Sequence, residues 1–204
     1  MKTALSVLLL HLGSLASLPE TLDDPPVPPV APRVPLSIAI AGEEGAPVQT
    51  PQWLSAQLAE VQRIYNGFGV YFRKAETRAL DERFARLESR GDRDALADQI
   101  HKGFLNVFVV RSLRDVDDDS LYRMGVHWAP RGDLKRQYII VASTARVSTM
   151  AHEIGHYFRL QHSFVQDNLM SYQRSGLTVF LDAKQKATVI ANAKSLFSRK
   201  ELVP

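Results

Sequence analysis

The chain has 204 residues, enough for one domain with a substantial core and too few for two comfortable ones. Hydrophobic residues make up 45% and charged residues 23%, the balance of an ordinary globular protein. The net charge of +3 comes from scattered Lys and Arg, with no basic stripe, which argues against a nucleic-acid partner. There are no cysteines, so disulfides, thiolate ligands and cysteine nucleophiles are excluded.

Residues 1–16 read as a signal peptide. Met1-Lys2 gives a short positive region, Ala4 to Leu12 is mostly apolar, and Ser14-Leu15-Ala16 offers small residues for cleavage. The apolar run is too short to span a bilayer, and no later stretch looks transmembrane. This predicts a secreted or periplasmic location. Residues 17–33 are rich in proline and read as an extended linker or short pro-segment. In the second case Asp23 or Asp24 would approach the site. The folded domain is expected over 34–204.

Within it, Pro35 to Ala41 alternates as a strand, and Pro51 to Asn66 carries Leu54, Leu58, Val61 and Tyr65 on one helical face. Gly69 to Ala75 reads as a second strand. Residues 80–102 read as charged and helical, in two short pieces broken at Gly91. Strands follow at Leu105 to Val110, Gly125 to Ala129 and Tyr138 to Ala142. A helix is expected over Ser148 to Leu160, an irregular stretch through Gly176, and a closing helix from Asp182 to Ser198. This order predicts an α/β fold with a mixed sheet.

The chemistry concentrates in His152-Glu153-Ile154-Gly155-His156, followed by His162. Residues four apart on a helix share a face, so His152 and His156 can offer two nitrogens to one ion. Glu153 is placed beside them to activate a water. An accidental H-E-x-x-H arises in about one chain in two hundred of this length, and a third His at this spacing lowers that roughly fiftyfold. The spacing therefore argues for a metal, Zn2+, over histidines merely satisfied on a helix face. For the third ligand the sequence offers His162 as the simplest choice, Asp167 as the near aspartate, and Glu201 as a poor candidate near the terminus.

The segment His152 to His162 resembles the long zinc motif of the metzincins, H-E-x-x-H-x-x-G-x-x-H. Asp167-Asn168-Leu169-Met170-Ser171-Tyr172 is similar to the methionine turn of that clan. The Ile-Gly, the His162-Ser163-Phe164 and the Asn-Leu-Met-Ser-Tyr sequence look most like its pappalysin-like branch. The resemblance implies a mixed, mostly parallel twisted sheet with an active-site helix and a C-terminal helix. It implies His162 as third ligand, Met170 as an apolar floor under the histidines, and Tyr172 as a resting ligand or oxyanion partner. The function implied is an exported zinc endopeptidase in which Glu153 activates a water on the metal. The alternative is a catalytically impaired metal- or peptide-binding relative. The expected partner is a peptide or protein substrate lying along an edge near Met124 to Ala129, and the chain is expected to be a monomer.

One position departs from the motif. Arg159 stands where the clan has glycine, at the point where the chain turns to deliver the third His. Either an arginine adopts the left-handed turn at a cost of about 1 kcal/mol, or the helix runs on and His162 misses the site. Three other readings complete the inventory. Asp115, Asp117, Asp118 and Asp119 read as a solvated loop rather than a calcium site. His101 and His127 read as structural or surface residues. Gln173 to Leu177 would line a substrate pocket, with Arg174 read as a solvated arginine rather than a selector of acidic side chains.

Overall fold

The computed structural model describes residues 32–176 and 178–204. The expected signal peptide, and all of the proline-rich segment before residue 32 with Asp23 and Asp24, lie outside the described residues.

Strand β1 (Arg33–Glu43) is buried along most of its length, as a strand flanked on both edges must be. A two-residue strand β2 (Ala46–Pro47) folds back on its end. Helix α1 (Pro51–Tyr65) starts where Thr50 accepts the Trp53 N–H through its hydroxyl, with proline in the first turn. Strand β3 (Tyr71–Leu80) runs parallel to β1, five residues further than the expected end at Ala75. Ala75 is itself the bulge, since Leu36 pairs with Lys74 and Ser37 with Glu76. The charged residues beyond it suit an edge strand, whose side chains meet water.

Residues 80–102 differ from the expected pair of helices broken at Gly91. They contain two 3-10 turns (Glu82–Phe84 and Leu96–Gln99), strand β4 (Arg86–Leu87) and one short helix α2 (Arg90–Ala95). Gly91 lies inside the first turn of α2 and does not break it. Ser89 and Asp92 form a reciprocal capping box that starts the helix there.

The remaining strands are β5 (Leu105–Val110), β6 (Ser112–Leu113), β7 (Gly125–Trp128) and β8 (Tyr138–Ala142). The main sheet has the order β3-β1-β5-β8-β7, with β2 paired at the end of β1, and is parallel except for β7 at the edge and the two-residue β2. This is the mixed, mostly parallel α/β sheet expected from the sequence. Helices α3 (Thr149–Tyr157) and α4 (Ala183–Ser198) follow it. No described helix is long and apolar enough to cross a membrane.

Packing places α3. Tyr65, fully buried at the end of α1, donates its hydroxyl to the Ala151 carbonyl at 2.8 Å. Its ring meets Phe72, which in turn meets Phe158 just past α3. Gln57 on α1 is buried as well. Its amide donates to the Arg146 carbonyl at 2.9 Å and accepts the Met150 N–H at 3.2 Å, clamping the segment that leads into α3. Phe108, Ile140 and Tyr138 share the sheet face on which the Tyr138 hydroxyl bonds the Arg93 carbonyl of α2.

Candidate metal centre

Helix α3 carries His152 and His156 one turn apart, with Glu153 beside them. The helix ends at Tyr157, and Arg159 takes φ 73°. The Leu160 N–H bonds the Gly155 carbonyl at 3.0 Å and the Arg159 N–H bonds the His156 carbonyl at 2.9 Å. These two bonds form a Schellman cap, with arginine in the left-handed position glycine usually takes. The helix therefore does not run on, and the reversed chain carries His162 back over the end of α3.

The three rings meet through their Nε2 atoms. His156 Nε2 lies 3.1 Å from His152 Nε2 and 3.0 Å from His162 Nε2. The other ring nitrogens explain this orientation. His152 Nδ1 is 2.7 Å from the Leu169 carbonyl, and His156 Nδ1 is 2.8 Å from the Leu160 carbonyl. A carbonyl only accepts, so both rings carry their proton on Nδ1 and turn a lone pair inward from Nε2. Lone pairs facing each other at this distance repel unless a cation sits among them. Nitrogen ligands around a tetrahedral zinc stand about 3.3 Å apart for bonds of ~2.05 Å, close to the spacing here. The donor set thus fits Zn2+, and these three residues form a group able to hold one metal ion. Asp167 and Glu201, the alternative third ligands, are used otherwise. Asp167 accepts from Ser175, and Glu201 pairs with Arg199.

Below the rings, Met170 is fully buried against α3. A Cβ at Gly155 would stand 2.5 Å from the Met170 sulfur, so glycine is what lets the methionine turn lie this close to the helix. The turn is held by Asn168, whose side chain accepts the Met170 N–H at 2.9 Å and exchanges two hydrogen bonds with Gln185. Gln185 also closes the capping box with Asp182 at the start of α4. The C-terminal helix therefore fastens the floor of the site. Tyr172 is 70% exposed, with its hydroxyl 2.9 Å from His162 Nε2.

Glu153 is buried under β7. A Cβ on Gly125 would meet its Cγ and Oε1 at 2.9 Å, so the edge strand crosses directly over the carboxyl. Burial pushes Glu153 up to about 8, against the pull of the His127 backbone N–H. Burial also lowers His152 and His156 to about 4, which keeps both neutral. The Met124 carbonyl accepts from Ala142 on β8. Alternation then turns the backbone groups of Gly125 and His127 away from β8, toward the open edge.

Arg123, Arg146, Gln57 and Gly125 were not singled out by the sequence, because only tertiary packing brings them to the site. Arg174 is not simply solvated: it donates to the Asn168 carbonyl at 2.7 Å and to the Leu169 carbonyl at 3.1 Å. The aspartate loop is also not wholly solvated. Asp115 is buried and accepts the backbone N–H groups of Asp117 and Asp118 and the Arg123 guanidinium. His127 bonds Gln137 at 2.8 Å and His101 pairs with Glu76, as structural residues do.

No protein-family model and no curated sequence matches the chain. Solved structures do, among them metzincin-type metalloproteases. Mature mirolysin of Tannerella forsythia, in complex with a cleaved peptide, superposes with TM-score 0.62 at 10% identity, over 86% of this chain and 97% of that one. Archaemetzincin of Methanopyrus kandleri gives 0.54 at 17% identity, over 82% and 99%. Metalloproteinase-II of Bacteroides fragilis gives 0.57 at 14% identity over 80% of this chain, which spans about half (54%) of that longer protein. At these identities the likeness establishes a shared fold.

Three outcomes follow from this geometry. Gly155→Ala displaces Met170 and lowers zinc affinity at least about tenfold, read by competition with a chromophoric chelator; unchanged affinity contradicts the packing argument. Arg159→Gly removes the left-handed strain and raises stability by up to about 1 kcal/mol, read by urea unfolding. The third concerns the metal-free chain. Glu153 is raised on folding, so its contribution is complete below about pH 4.5 and is lost as pH rises through about 8. Metal-free Glu153→Gln should therefore unfold at a higher temperature than wild type at pH 8, by the equivalent of a few kcal/mol, and the gap should close by pH 4.

Proposed function

We propose that this chain is a zinc-dependent endopeptidase. The observation that carries the reading is the convergence of three imidazole nitrogens beside a buried carboxyl and beneath an open sheet edge. His152, His156 and His162 would hold the metal. When bound, zinc supplies Lewis acidity, polarising a peptide carbonyl and acidifying water.

The chain's own groups do the rest. The open edge of β7 binds an extended peptide through the backbone groups of Gly125 and the carbonyl of His127, whose N–H is already given to Glu153. Glu153 takes the proton of the attacking water on a carboxylate oxygen and passes it to the leaving amine nitrogen. A carboxyl pushed upward by burial is suited to holding that proton between the two transfers. Tyr172, with its ring in solvent, swings from His162 toward the carbonyl oxygen and donates to the developing negative charge. Met170 keeps the underside of the histidines dry.

Finer parts of the reading rest on sequence. They are the pappalysin-like branch, from the Asn168 to Tyr172 turn, export by way of residues 1–16, a catalytic domain over 34–204, and a monomeric state. The rival reading is a metal- or peptide-binding protein without turnover, for which Arg159 is the argument. Retention of Glu153 favours the enzyme, because a pure binder has no use for the base.

Elemental analysis of residues 34–204 should return about one zinc per chain, and quenched peptides should be cleaved. Glu153→Ala should keep the metal and lose about 10²- to 10⁴-fold in kcat/KM. Equal activity in both forms rejects the peptidase, and zinc without any turnover selects the binder.

A further inference from the structure

A cleft of about 350 Å³ opens beside His152 and Glu153. Its lining includes Arg123, Arg146 and Arg174, with Ser148 and Thr149 adding hydroxyls, and its only carboxylate is the buried Glu153. The three cations come from separate parts of the chain: the approach to β7, the segment before α3, and the loop after Met170. The fold collects them around one opening.

Their surroundings differ. Arg123 is neutralised by Asp115. Arg174 is held by the Asn168 and Leu169 carbonyls, which fix the guanidinium without cancelling its charge. Arg146 is exposed, and its side chain has no carboxylate within ion-pair distance among the described residues. Burial lowers Arg174 from the ordinary arginine range, and the positive charge of Arg146 adds to that against the pull of Asp167. Both guanidinium groups line the same opening, so like charges share it and an anion bound there would be favoured. The planar fork of Arg146 suits a carboxylate, while Arg174, whose two terminal nitrogens already serve the Asn168 and Leu169 carbonyls, adds its positive charge. A Lys or Arg side chain in the same place would meet two like charges, and this excludes basic residues.

We propose that this cleft makes the site selective for peptides carrying Asp or Glu next to the scissile bond, with Arg146 and Arg174 receiving the side-chain carboxylate. The inference rests on the peptidase reading and adds a substrate class to it. Arg146 is the specificity-determining residue to vary, since Arg174 also braces the methionine turn and its loss would disturb the His152 contact at Leu169.

The test uses the zinc-loaded chain and a set of quenched peptides with one varied residue, Asp, Glu, Gln, Leu or Lys, on either side of the cleavage point. Wild type should favour the acidic peptides over their Gln counterparts by roughly five- to tenfold in kcat/KM, on one side of the bond. Lys should be cut more slowly than Gln. Arg146→Gln should bring the acidic-to-neutral ratio toward one, and Arg146→Glu should invert it in favour of Lys. Zinc content and melting temperature of each variant report folding, and the ratio of rates within one variant is independent of the amount of active protein. Cleavage of acidic, neutral and basic peptides alike overturns this inference and leaves the peptidase intact. Failure to cleave any peptide overturns both. A wild-type preference that Arg146→Glu leaves unchanged overturns the role of Arg146.

Discussion

The constraint on which the rest of the structure depends is the meeting of three Nε2 atoms, two of them acceptors only, within a few ångströms. For His152 and His156 nothing in the metal-free chemistry of imidazole favours the meeting, since two acceptor nitrogens stand 3.1 Å apart. It is held because Nδ1 of His152 and of His156 is occupied by a backbone carbonyl, which leaves each inner nitrogen only the acceptor role. A cation of about zinc's size satisfies all three at once. Surrounding features then have a single purpose, to place the two carbonyls and the third ring.

Those features form a short chain of contacts. The Schellman cap at Arg159 sends Leu160 back beneath the helix, where its carbonyl meets His156, and aims His162 at the opening. The methionine turn brings the Leu169 carbonyl to His152, and Asn168 ties that turn to the capping box of α4. Tyr65 and Gln57 fix α3 from the other side. Each link is a hydrogen bond worth about 1 kcal/mol, yet each sets the direction of a ring. The left-handed arginine is tolerated in this setting because its cost is of the same size as one such bond.

Electrostatics divide the site in two. In the metal-free chain burial disfavours charge on the carboxyl of Glu153 and on the rings of His152 and His156, and a cation held by the histidines would favour the carboxylate that the base needs. The cleft beside them is the reverse, an open region lined by three arginines, with neither Asp167 nor Asp115 in its lining. The result is a hydrophobic floor and a cationic wall around one reacting position.

The local periodicities of the sequence determined most elements. Alternating apolar residues marked β1, a continuous apolar run marked β5, the i, i+4 spacing put His152 and His156 on one face, and Asp182 marked the start of α4. These are properties of neighbours along the chain, and they need no knowledge of distant contacts. The sequence misjudged residues 76–102, where the charges of an edge strand imitate a solvated helix and Gly91 sits harmlessly inside a capped first turn. It also left open whether Arg159 turns, because a left-handed residue is decided by what the following segment gains from reversal. Only tertiary structure settled that point, and only it brought Gly125 over Glu153, Met170 under Gly155, and Arg123, Arg146 and Arg174 around one cleft. Residues tens of positions apart carry no shared local signal; their proximity is set by the packing of α3 on the sheet and by the folding back of the loop between α3 and α4.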